Sequence, residues 1–227
     1  VVNVSLATTG SLAVAGDSLQ LFNGATALGS AITLTTAHIT AGSVNVTTPT
    51  LTDGATYTLN ARVTDIAGNQ GLASANHVVT VDTTAPAAPT ITSVTDDVGA
   101  IRTTVADGGF TDDTALVIRV ALPSSGSRAV AGDCVQLFNG SASLGSAIAL
   151  SAGNITDGFI DVTTPVLSDA TTYTLNAQII DIAGNASEAS ADHVVIIDTA
   201  VPTVTAAVIS ATEPDGTTAN TDTLVAG

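Results

Sequence analysis

The sequence contains no lysine, no methionine and no tryptophan, and it has a single cysteine. Its basic residues are four arginines, which face 20 acidic residues, so the formal net charge at pH 7 is −16. Binding to nucleic acid or to an anionic membrane surface needs a positively charged stripe, and the sequence has no basic cluster. Both classes of partner are therefore excluded.

Long hydrophobic runs are also missing. Mean hydropathy is +0.47, yet no apolar run approaches the roughly 18 residues that a transmembrane helix needs. The sequence thus predicts no membrane insertion, with its apolar residues spread along strands. No signal peptide is recognisable, and a chain that starts at Val1 without any Met is expected to be a fragment or a processed form.

Motifs for catalysis are absent as well. Cys134 has no partner for an intrachain disulfide, and we interpret it as a passive thiol in a strand. His77 and His193 lack the HxH or HExxH spacing of a metal site, so we interpret both as structural. No nucleophile elbow, phosphate loop or dinucleotide fingerprint occurs, and four Phe and two Tyr leave little to stack against a sugar. The sequence predicts that the protein is not an enzyme.

The acidic residues that are present are almost all Asp, the exceptions being Glu188 and Glu213. Asp is a poor helix former and is favoured in turns and in sites for hard cations. Hydrophobic residues make up 45% of the chain, which is too many for a disordered acidic chain. These features predict a folded, β-rich, anionic protein.

An internal repeat organises the chain. Residues 1–86 align without a gap with residues 117–202, and more than half of the aligned positions are identical. Such closeness indicates tandem duplication, so a site present in both copies is a property of the module. Residues 87–116, which precede the second copy, have no counterpart before the first.

Short segments within each unit alternate in polarity and are separated by Gly, Asp and Asn, as half-buried strands are. No stretch shows sustained helical periodicity. This pattern predicts an all-β fold in which each unit is a sandwich of two antiparallel sheets. In the second unit we expect strands at 89–95, 101–105, 115–122, 134–138, 143–149, 158–163, 171–181 and 192–198.

Two tyrosines sharpen this prediction to tandem immunoglobulin-like antiparallel β-sandwiches. Tyr57 and Tyr173 follow an Asp-containing turn at the start of a strand, which is where an immunoglobulin-like domain carries its tyrosine corner. Leu59 and Leu175 then occupy the position of the second disulfide Cys of antibody domains, so an apolar core replaces the bridge. The alternative, that both Tyr are ordinary inward-facing residues, leaves the fold class unchanged.

Proline-containing linkers set the domain boundaries, because Pro fixes φ and prevents a helix at the joint. The linkers are short, so neighbouring domains must nearly touch. We predict a first immunoglobulin-like domain at 1–82 that lacks its strand A region, a linker at 83–86, a complete domain at 87–198, a linker at 199–202 and the strand A region of a further unit at 203–227.

Four motifs carry a resemblance to a known family: DTTAP (82–86), TDDTAL (111–116), AGDCVQLFNG (131–140) and DIAGN (181–185). With these motifs the chain resembles the tandem bacterial Ig-like repeats of giant surface adhesins, including the extender regions of biofilm and RTX adhesins. The resemblance implies an extracellular rod on the surface of a Gram-negative bacterium, in which calcium at or near the domain joints limits bending. Its partners would be neighbouring Ig-like repeats in the same chain or in neighbouring copies.

The residues themselves also favour calcium, which binds six to eight hard oxygens. Four Arg cannot balance 20 carboxylates, and crowded acids repel one another unless a cation bridges them. The BC loop, which carries Asp133, and the FG loop, which carries Asp181 and Asn185, should meet the linker at one end of the sandwich. The alternative is that these Asp and Asn only make turns. The candidate ligands are Asp82, Asp133, Asp181 and Asn185 at the first joint with Asp53 opposite, Asp198 at the next joint, Asp17, Asp65 and Asn69 at the other end of the first domain, and Asp96, Asp97, Asp112 and Asp113 near strand A, with Glu213 as the counterpart of Asp97.

The function predicted from the sequence is a structural spacer, or extender, of a bacterial cell-surface adhesin that calcium stiffens near its joints. The alternative is a self-assembling extracellular filament subunit, in which 203–227 of one copy completes the first domain of a neighbouring copy. A third class, a ligand-binding module, would need an exposed pocket in one repeat. Its best candidates are Phe110 and Phe159, which we interpret instead as core or turn residues.

Overall fold

The computed structural model describes residues 1–100 and 102–203, and β-strands form nearly all of its regular structure. Two β-sandwiches follow one another along the chain, each made of two mainly antiparallel sheets that face each other across an apolar core. The predicted all-β, immunoglobulin-like fold is confirmed. Glu213 and the rest of the segment 204–227 lie outside the described residues.

The first domain has one two-stranded sheet, β1-β5, and a second sheet in the order β3-β2-β6-β7, with β4 also paired to β2. Its elements are β1 (Val2–Ser5), β2 (Ser18–Asn23), β3 (Thr26–Ala27), β4 (Ile32–Thr33), α1 (Thr36–Ala41), β5 (Ser43–Val46), β6 (Thr56–Thr64) and β7 (His77–Thr80).

The second domain has a three-stranded sheet, β13-β10-β8, and a five-stranded sheet in the order β12-β11-β14-β15-β9. Strand β9 pairs with β15 in parallel, whereas the other pairs are antiparallel. Its elements are β8 (Thr90–Thr95), β9 (Gly109–Thr111), β10 (Val117–Ala121), β11 (Cys134–Asn139), β12 (Ala142–Ala149), α2 (Ala152–Asp157), β13 (Phe159–Thr163), β14 (Thr171–Ile180) and β15 (His193–Ile197).

Alternation of side chains explains the core of the second domain. In β14, Leu175, Ala177 and Ile179 are completely buried, as the period of two requires. Asn176, on the other face of the strand, is also only 6% exposed. Its amide donates to the carbonyl of Gly140 at 3.0 Å and to Asp192 at 3.1 Å, because a buried polar side chain needs hydrogen-bond partners.

Both tyrosine corners are confirmed. The hydroxyl of Tyr57 accepts the backbone N–H of Thr52 at 3.0 Å, and that of Tyr173 accepts the N–H of Ser168 at 2.9 Å. Leu175 is fully buried, and its counterpart in the first domain, Leu59, is 5% exposed. Apolar packing therefore occupies the place of a disulfide.

The segment between β8 and β10 differs from its prediction. No strand spans 102–105, where Thr104 makes only an isolated bridge with Thr95, and the strand that does form is β9, at Gly109–Thr111. Gly108 takes φ of 76°, a conformation that turns the chain onto β15. A strand of three residues is too short to show a period of two.

Two single-turn helices were also missed. Ser151 caps α2 by accepting the backbone N–H of Asn154, while the Asn154 side chain accepts the N–H of Ser151 at 3.0 Å. Thr35 and His38 make the same reciprocal arrangement at α1. Capping signals start these helices, but six residues are too few to show a helical period. Within 1–100 and 102–203, no helix is long and apolar enough to span a membrane.

Candidate functional site

The linker between the two domains is held on one side by the first domain. Asp53, in the turn before β6, accepts the backbone N–H of Thr83 at 2.6 Å and the hydroxyl of Thr84 at 2.8 Å. Asp82 adds a local bond by accepting the N–H of Thr84 at 3.0 Å. The bonds from Thr83 and then Thr84 hold the pKa of the Asp53 carboxyl below its ordinary value. Asp53 is therefore charged at neutral pH and fixes the start of the linker.

The second domain holds the same linker from the opposite side. The side-chain amide of Asn185, in the loop between β14 and β15, donates to the backbone carbonyl of Asp82 at 3.1 Å. The N–H of Ala87 donates to the carbonyl of Ser127 at 2.8 Å. Pro86 and Pro89 are buried. Both domains thus contact a connection of only a few residues.

The loop that presents Asn185 is a compact Asp–Asn turn. Asp181 accepts the backbone N–H and the side-chain amide of Asn185, each at 2.8 Å. Burial acts to raise the pKa of Asp181, but the bonds from Asn185 outweigh it and the pKa is lowered. Asp65 and Asn69 repeat the turn in the first domain with the same distances. There the pKa of Asp65 is lowered chiefly by the Asn69 side chain.

Asp133, from the loop before β11, lies under the Asp181 turn. It is 2% exposed, and its two oxygens accept the backbone N–H groups of Val130 at 2.8 Å and Ile182 at 3.3 Å. Asp17, its counterpart, is 4% exposed and accepts only the N–H of Val14, its Oδ1 having no partner among the described residues. Asp133 therefore joins two loops, whereas the Asp17 side chain bonds only within its own loop.

At the second joint, the second domain anchors the linker that follows it, as the first domain does at the first joint. Asp169 accepts the N–H of Thr199 at 2.7 Å, and Asp198 accepts the N–H of Ala200 at 3.1 Å. The pKa of Asp169 is lowered by the backbone bond from Thr199 and then by its side chain. The N–H of Asp198 donates to Thr111 in β9 at 2.9 Å. Anchoring of the linker by the turn before β6 or β14 is therefore a property of the module.

The four acids near strand A occupy the bend after β8 and the segment after β9. Asp96 accepts the hydroxyl of Thr111 at 2.8 Å and is 6% exposed. Asp113, 2% exposed, accepts the N–H groups of Ala115 at 2.7 Å and Asp97 at 3.3 Å. Asp97 and Asp112 are exposed. The buried pair makes turns, and the exposed pair adds charge beside it.

Among the described residues, the predicted cation ligands do not come together as a metal-binding cluster. Across residues 1–100 and 102–203, no group of three or more His, Cys, Asp or Glu is placed to hold a metal ion. At the first joint the structure brings together Asp82, Asn185 and Asp181 through hydrogen bonds. A cation there would have to use the exposed Asp82 carboxylate together with amide and carbonyl oxygens.

Two features of the joint and its surroundings were not predicted from the sequence. The anchoring role of Asp169 was missed, although its identity with Asp53 across the repeat was a signal. Asn139 was also missed; its side chain accepts the N–H of Thr174 at 2.8 Å and ties the end of β11 to β14. Its counterpart Asn23 makes the same bond to Thr58, so repetition in both copies could have identified it.

The residues considered for ligand binding or chemistry lie apart from the joint hydrogen bonds. Phe159 is half-buried beneath Arg119, whose guanidinium carbon is 4.0 Å from the ring centre. Phe110 is 68% exposed and lies within strand β9, at a sheet edge. Its interpretation as a core or turn residue is therefore wrong. Cys134 is half-buried in β11. The ring of His193, in β15, lies 3.1 Å from the carbonyl of Val105, which precedes β9.

No protein-family profile and no curated protein matches the sequence. Among solved structures, the chain is similar to the fibronectin(III)-like modules of Clostridium thermocellum CbhA, at 16% identity and a TM-score of 0.48 over 87% of this chain and 85% of that one. It is also similar to the FN1–FN3 domains of chicken CNTN1, at 15% identity and a TM-score of 0.46 over 81% of this chain and 54% of that one. These likenesses concern the fold alone.

Proposed function

We propose that the chain is a structural spacer of a bacterial cell-surface adhesin, in which tandem immunoglobulin-like domains separate a binding tip from the cell. The observation that carries this proposal is the joint. The carbonyl of Asp82, immediately before the linker, accepts a hydrogen bond from Asn185 of the second domain, and linker residues Thr83 and Thr84 donate two to Asp53 of the first. A connection restrained from both sides limits the bending of successive domains, which a spacer requires.

The dimensions of the module fit the same role. The longest strand, β14, has 10 residues, and a strand rises about 3.3 Å per residue, so each sandwich adds roughly 30 to 40 Å of length. A net charge of −16 keeps such repeats soluble and apart from one another. Length and charge both scale with the number of repeats.

Calcium is the second part of the proposal. Asp53 and Asp181 are held in their charged forms on the two sides of the linker, and the Asp82 carboxylate is exposed between them. Neighbouring negative charges repel, and a hard cation bound by carboxylate, amide and carbonyl oxygens would remove that repulsion. The ion would add rigidity to a joint that hydrogen bonds already define.

Calorimetric titration of the chelator-treated chain with calcium tests this part. We expect heat of binding, a higher melting temperature with calcium and a longer maximum dimension in small-angle scattering. Asp181→Asn should weaken binding at the joint, whereas Asp65→Asn, the same change in the first domain, should leave that site intact. If calcium produced neither heat of binding nor a shift in melting temperature, calcium would be removed from the proposal. If Asn185→Ala, which loosens the linker, left the small-angle scattering unchanged, the spacer role itself would be contradicted.

One observation favours the second candidate, a filament subunit in which strand exchange joins neighbouring copies. Among residues 1–100 and 102–203, the first domain has an open groove beside the edge strands β1 and β7, and a groove of this kind can accept a strand from another chain. Electron microscopy tests the filament: regular fibres from the intact chain that disappear on deletion of 203–227 would replace the spacer proposal.

A further inference from the structure

The chain contains five N-x-S/T sequons, the tripeptide that accepts N-linked sugars when x is not Pro. They begin at Asn3, Asn45, Asn139, Asn154 and Asn185. Transfer of a sugar needs the side-chain nitrogen of the Asn, with the hydroxyl two residues later within reach of the transferase. The structure distinguishes sequons whose Asn is open to solvent from sequons whose Asn is used by the fold.

Two sequons of the second domain have an Asn that holds local structure. The Asn154 side chain accepts the N–H of Ser151 in the cap of α2 at 3.0 Å, and its Nδ2 donates to the carbonyl of Phe159 at 3.3 Å. The Asn139 side chain accepts the N–H of Thr174 at 2.8 Å. Both Asn are half-buried, so neither amide can turn toward a transferase without breaking a hydrogen bond.

The sequon at 185–187 is held at the joint. The amide nitrogen of Asn185 donates to the carbonyl of Asp82 at 3.1 Å and to Asp181 at 2.8 Å. Ser187, which carries the hydroxyl of this sequon, is 4% exposed and donates to the carbonyl of Glu188 at 2.7 Å. The fold therefore uses both the amide and the hydroxyl of this sequon.

The sequon at 45–47 lies on the outer face of the first domain. Asn45 is exposed in β5, between Val44 and Val46, which are 1% and 3% exposed. Side chains two residues apart on an extended chain point the same way, and Thr47 is exposed as well. The amide and the hydroxyl of this sequon therefore face solvent on one side, while Val46 enters the core.

Asn3 begins the remaining sequon and pairs with Asn45 across β1 and β5. Its Nδ2 donates to the Oδ1 of Asn45 at 2.8 Å. This bond occupies the nitrogen of Asn3 and orients the side chain of Asn45, whose own Nδ2 has no hydrogen-bond partner among residues 1–100 and 102–203. Asn45 is therefore the better acceptor of the two.

The second domain shows that this face stays exposed when another strand is added to the sheet. Positions 119 and 161 are the counterparts of 3 and 45, and Arg119 and Asp161 form an ion pair there with side chains 46% and 39% exposed. Strand β8 pairs with β10 beside Arg119 within the sheet and does not bury that pair. The sequence at 161–163 is Asp-Val-Thr, which keeps the hydroxyl of the sequon but has no amide nitrogen.

From these placements we infer that Asn45 is a site of N-linked glycosylation. The donor is a sugar whose anomeric carbon, C1, carries a phosphate leaving group, as in a nucleotide sugar or a lipid-linked oligosaccharide. Transfer forms a bond between C1 and the Nδ2 of Asn45 and breaks the bond from C1 to the phosphate oxygen, which keeps the electron pair. One Nδ2 proton passes to a base of the transferase. The inference does not depend on calcium at the joints or on their stiffness.

Mass spectrometry of the peptides that contain the sequons tests the inference. In the chain isolated from the cells that produce it, we expect sugar on Asn45. The folded chain without sugar is also incubated with UDP-glucose and a soluble N-glycosyltransferase, or with a polyprenyl diphosphate oligosaccharide and a membrane oligosaccharyltransferase. The donor whose product matches the sugar of the native chain is identified as the source.

Rates of transfer within the folded chain measure the effect of exposure. Asn45 should be modified about tenfold faster than Asn154 or Asn185, because the amides of the latter two must first break hydrogen bonds, each worth about 1 kcal/mol. Equal rates at Asn45 and Asn154, or an unmodified Asn45 in the native chain, would overturn the inference. This comparison uses the unaltered chain and does not depend on the folding of any variant.

Three variants test the role of the sequon and of the face that carries it. Thr47→Ala should stop transfer to Asn45, whereas Thr47→Ser, which keeps the hydroxyl, should retain it. Asp161→Asn rebuilds N-V-T on the equivalent face of the second domain and should create a new acceptor at position 161. Undiminished transfer after Thr47→Ala would contradict the use of the sequon, and failure of Asp161→Asn to accept sugar would contradict selection by the exposed face.

Discussion

The side-chain amide of Asn185 donates to the backbone carbonyl of Asp82 across the joint at 3.1 Å, while the same amide also donates to Asp181 at 2.8 Å. Asn69 holds the equivalent position in the first domain and makes the equivalent bond to Asp65. One motif therefore builds its own loop in both copies and, in the second copy, also fixes the preceding linker.

Asn185→Ala should loosen the joint. The substitution removes the bond to Asp82 and the side-chain bond to Asp181, so we expect a wider distribution of interdomain angles. It should also cost about 1 kcal/mol of second-domain stability, since a hydrogen bond contributes about that much net. Residual dipolar couplings measured separately for the two domains report the change of mutual alignment.

Asn69→Ala is the matched control for the joint. It removes the same side-chain bond within the Asp–Asn turn, so the first domain should lose a similar stability in urea unfolding. Its interdomain couplings should stay as in the unaltered chain. A loss of mutual alignment in both variants would mean that loop disorder, and not the bond to Asp82, controls the joint.

Tyr173→Phe should destabilise the second domain by about 1 kcal/mol, because it removes the acceptor of the Ser168 N–H. Tyr57→Phe should do the same in the first domain through Thr52. Urea unfolding followed for each domain by NMR measures both changes. Thr172→Val, which removes an exposed hydroxyl beside Tyr173, should shift the midpoint much less; an equal shift would deny the corner any special role.

The tyrosine corners are features that the local sequence was sufficient to predict. The position of Tyr173 relative to the preceding turn, together with the alternation of Leu175, Ala177 and Ile179, predicted a strand, its inward face and a hydrogen bond back to the chain. Local patterns of this kind are set by the two-residue period and by turn chemistry. They were sufficient for the fold class and for most strands of the second domain.

Other features depend on contacts that no local pattern encodes. Strand β9 forms because Gly109–Thr111 meets β15 in parallel across more than 80 residues of chain, and Asn176 is buried because Gly140 and Asp192 offer partners for its amide. Asp133 lies in the loop before β11, and one of its two bonds to backbone N–H groups depends on the approach of Ile182. Calcium at the joints stays a prediction.

Acidification should weaken the linker anchors. Folding lowers the pKa of Asp169 below its ordinary value of 3.8, so its charged form stabilises the native state. That contribution is complete above about pH 4 and is lost as the pH falls through the lower pKa of the folded state. Asp169→Asn should therefore reduce the urea midpoint most above about pH 4, and the difference from the unaltered chain should shrink at lower pH. A difference that is the same at every pH would contradict this origin.

The turns before β6 and β14 carry different residues at one equivalent position, Gly54 and Ala170, so each residue can be tested in the other copy. Ala170 has φ of 53° and its counterpart Gly54 has φ of 70°, a left-handed conformation that costs a residue with Cβ about 1 to 2 kcal/mol. Ala170→Gly should therefore stabilise the second domain, by up to about 1 kcal/mol because Gly also gains entropy in the unfolded chain. Gly54→Ala should destabilise the first domain by about 1 kcal/mol in urea unfolding. Ala189→Gly, at an exposed position without positive φ, should destabilise slightly, and a gain there equal to that of Ala170→Gly would refute the assignment of strain to Ala170.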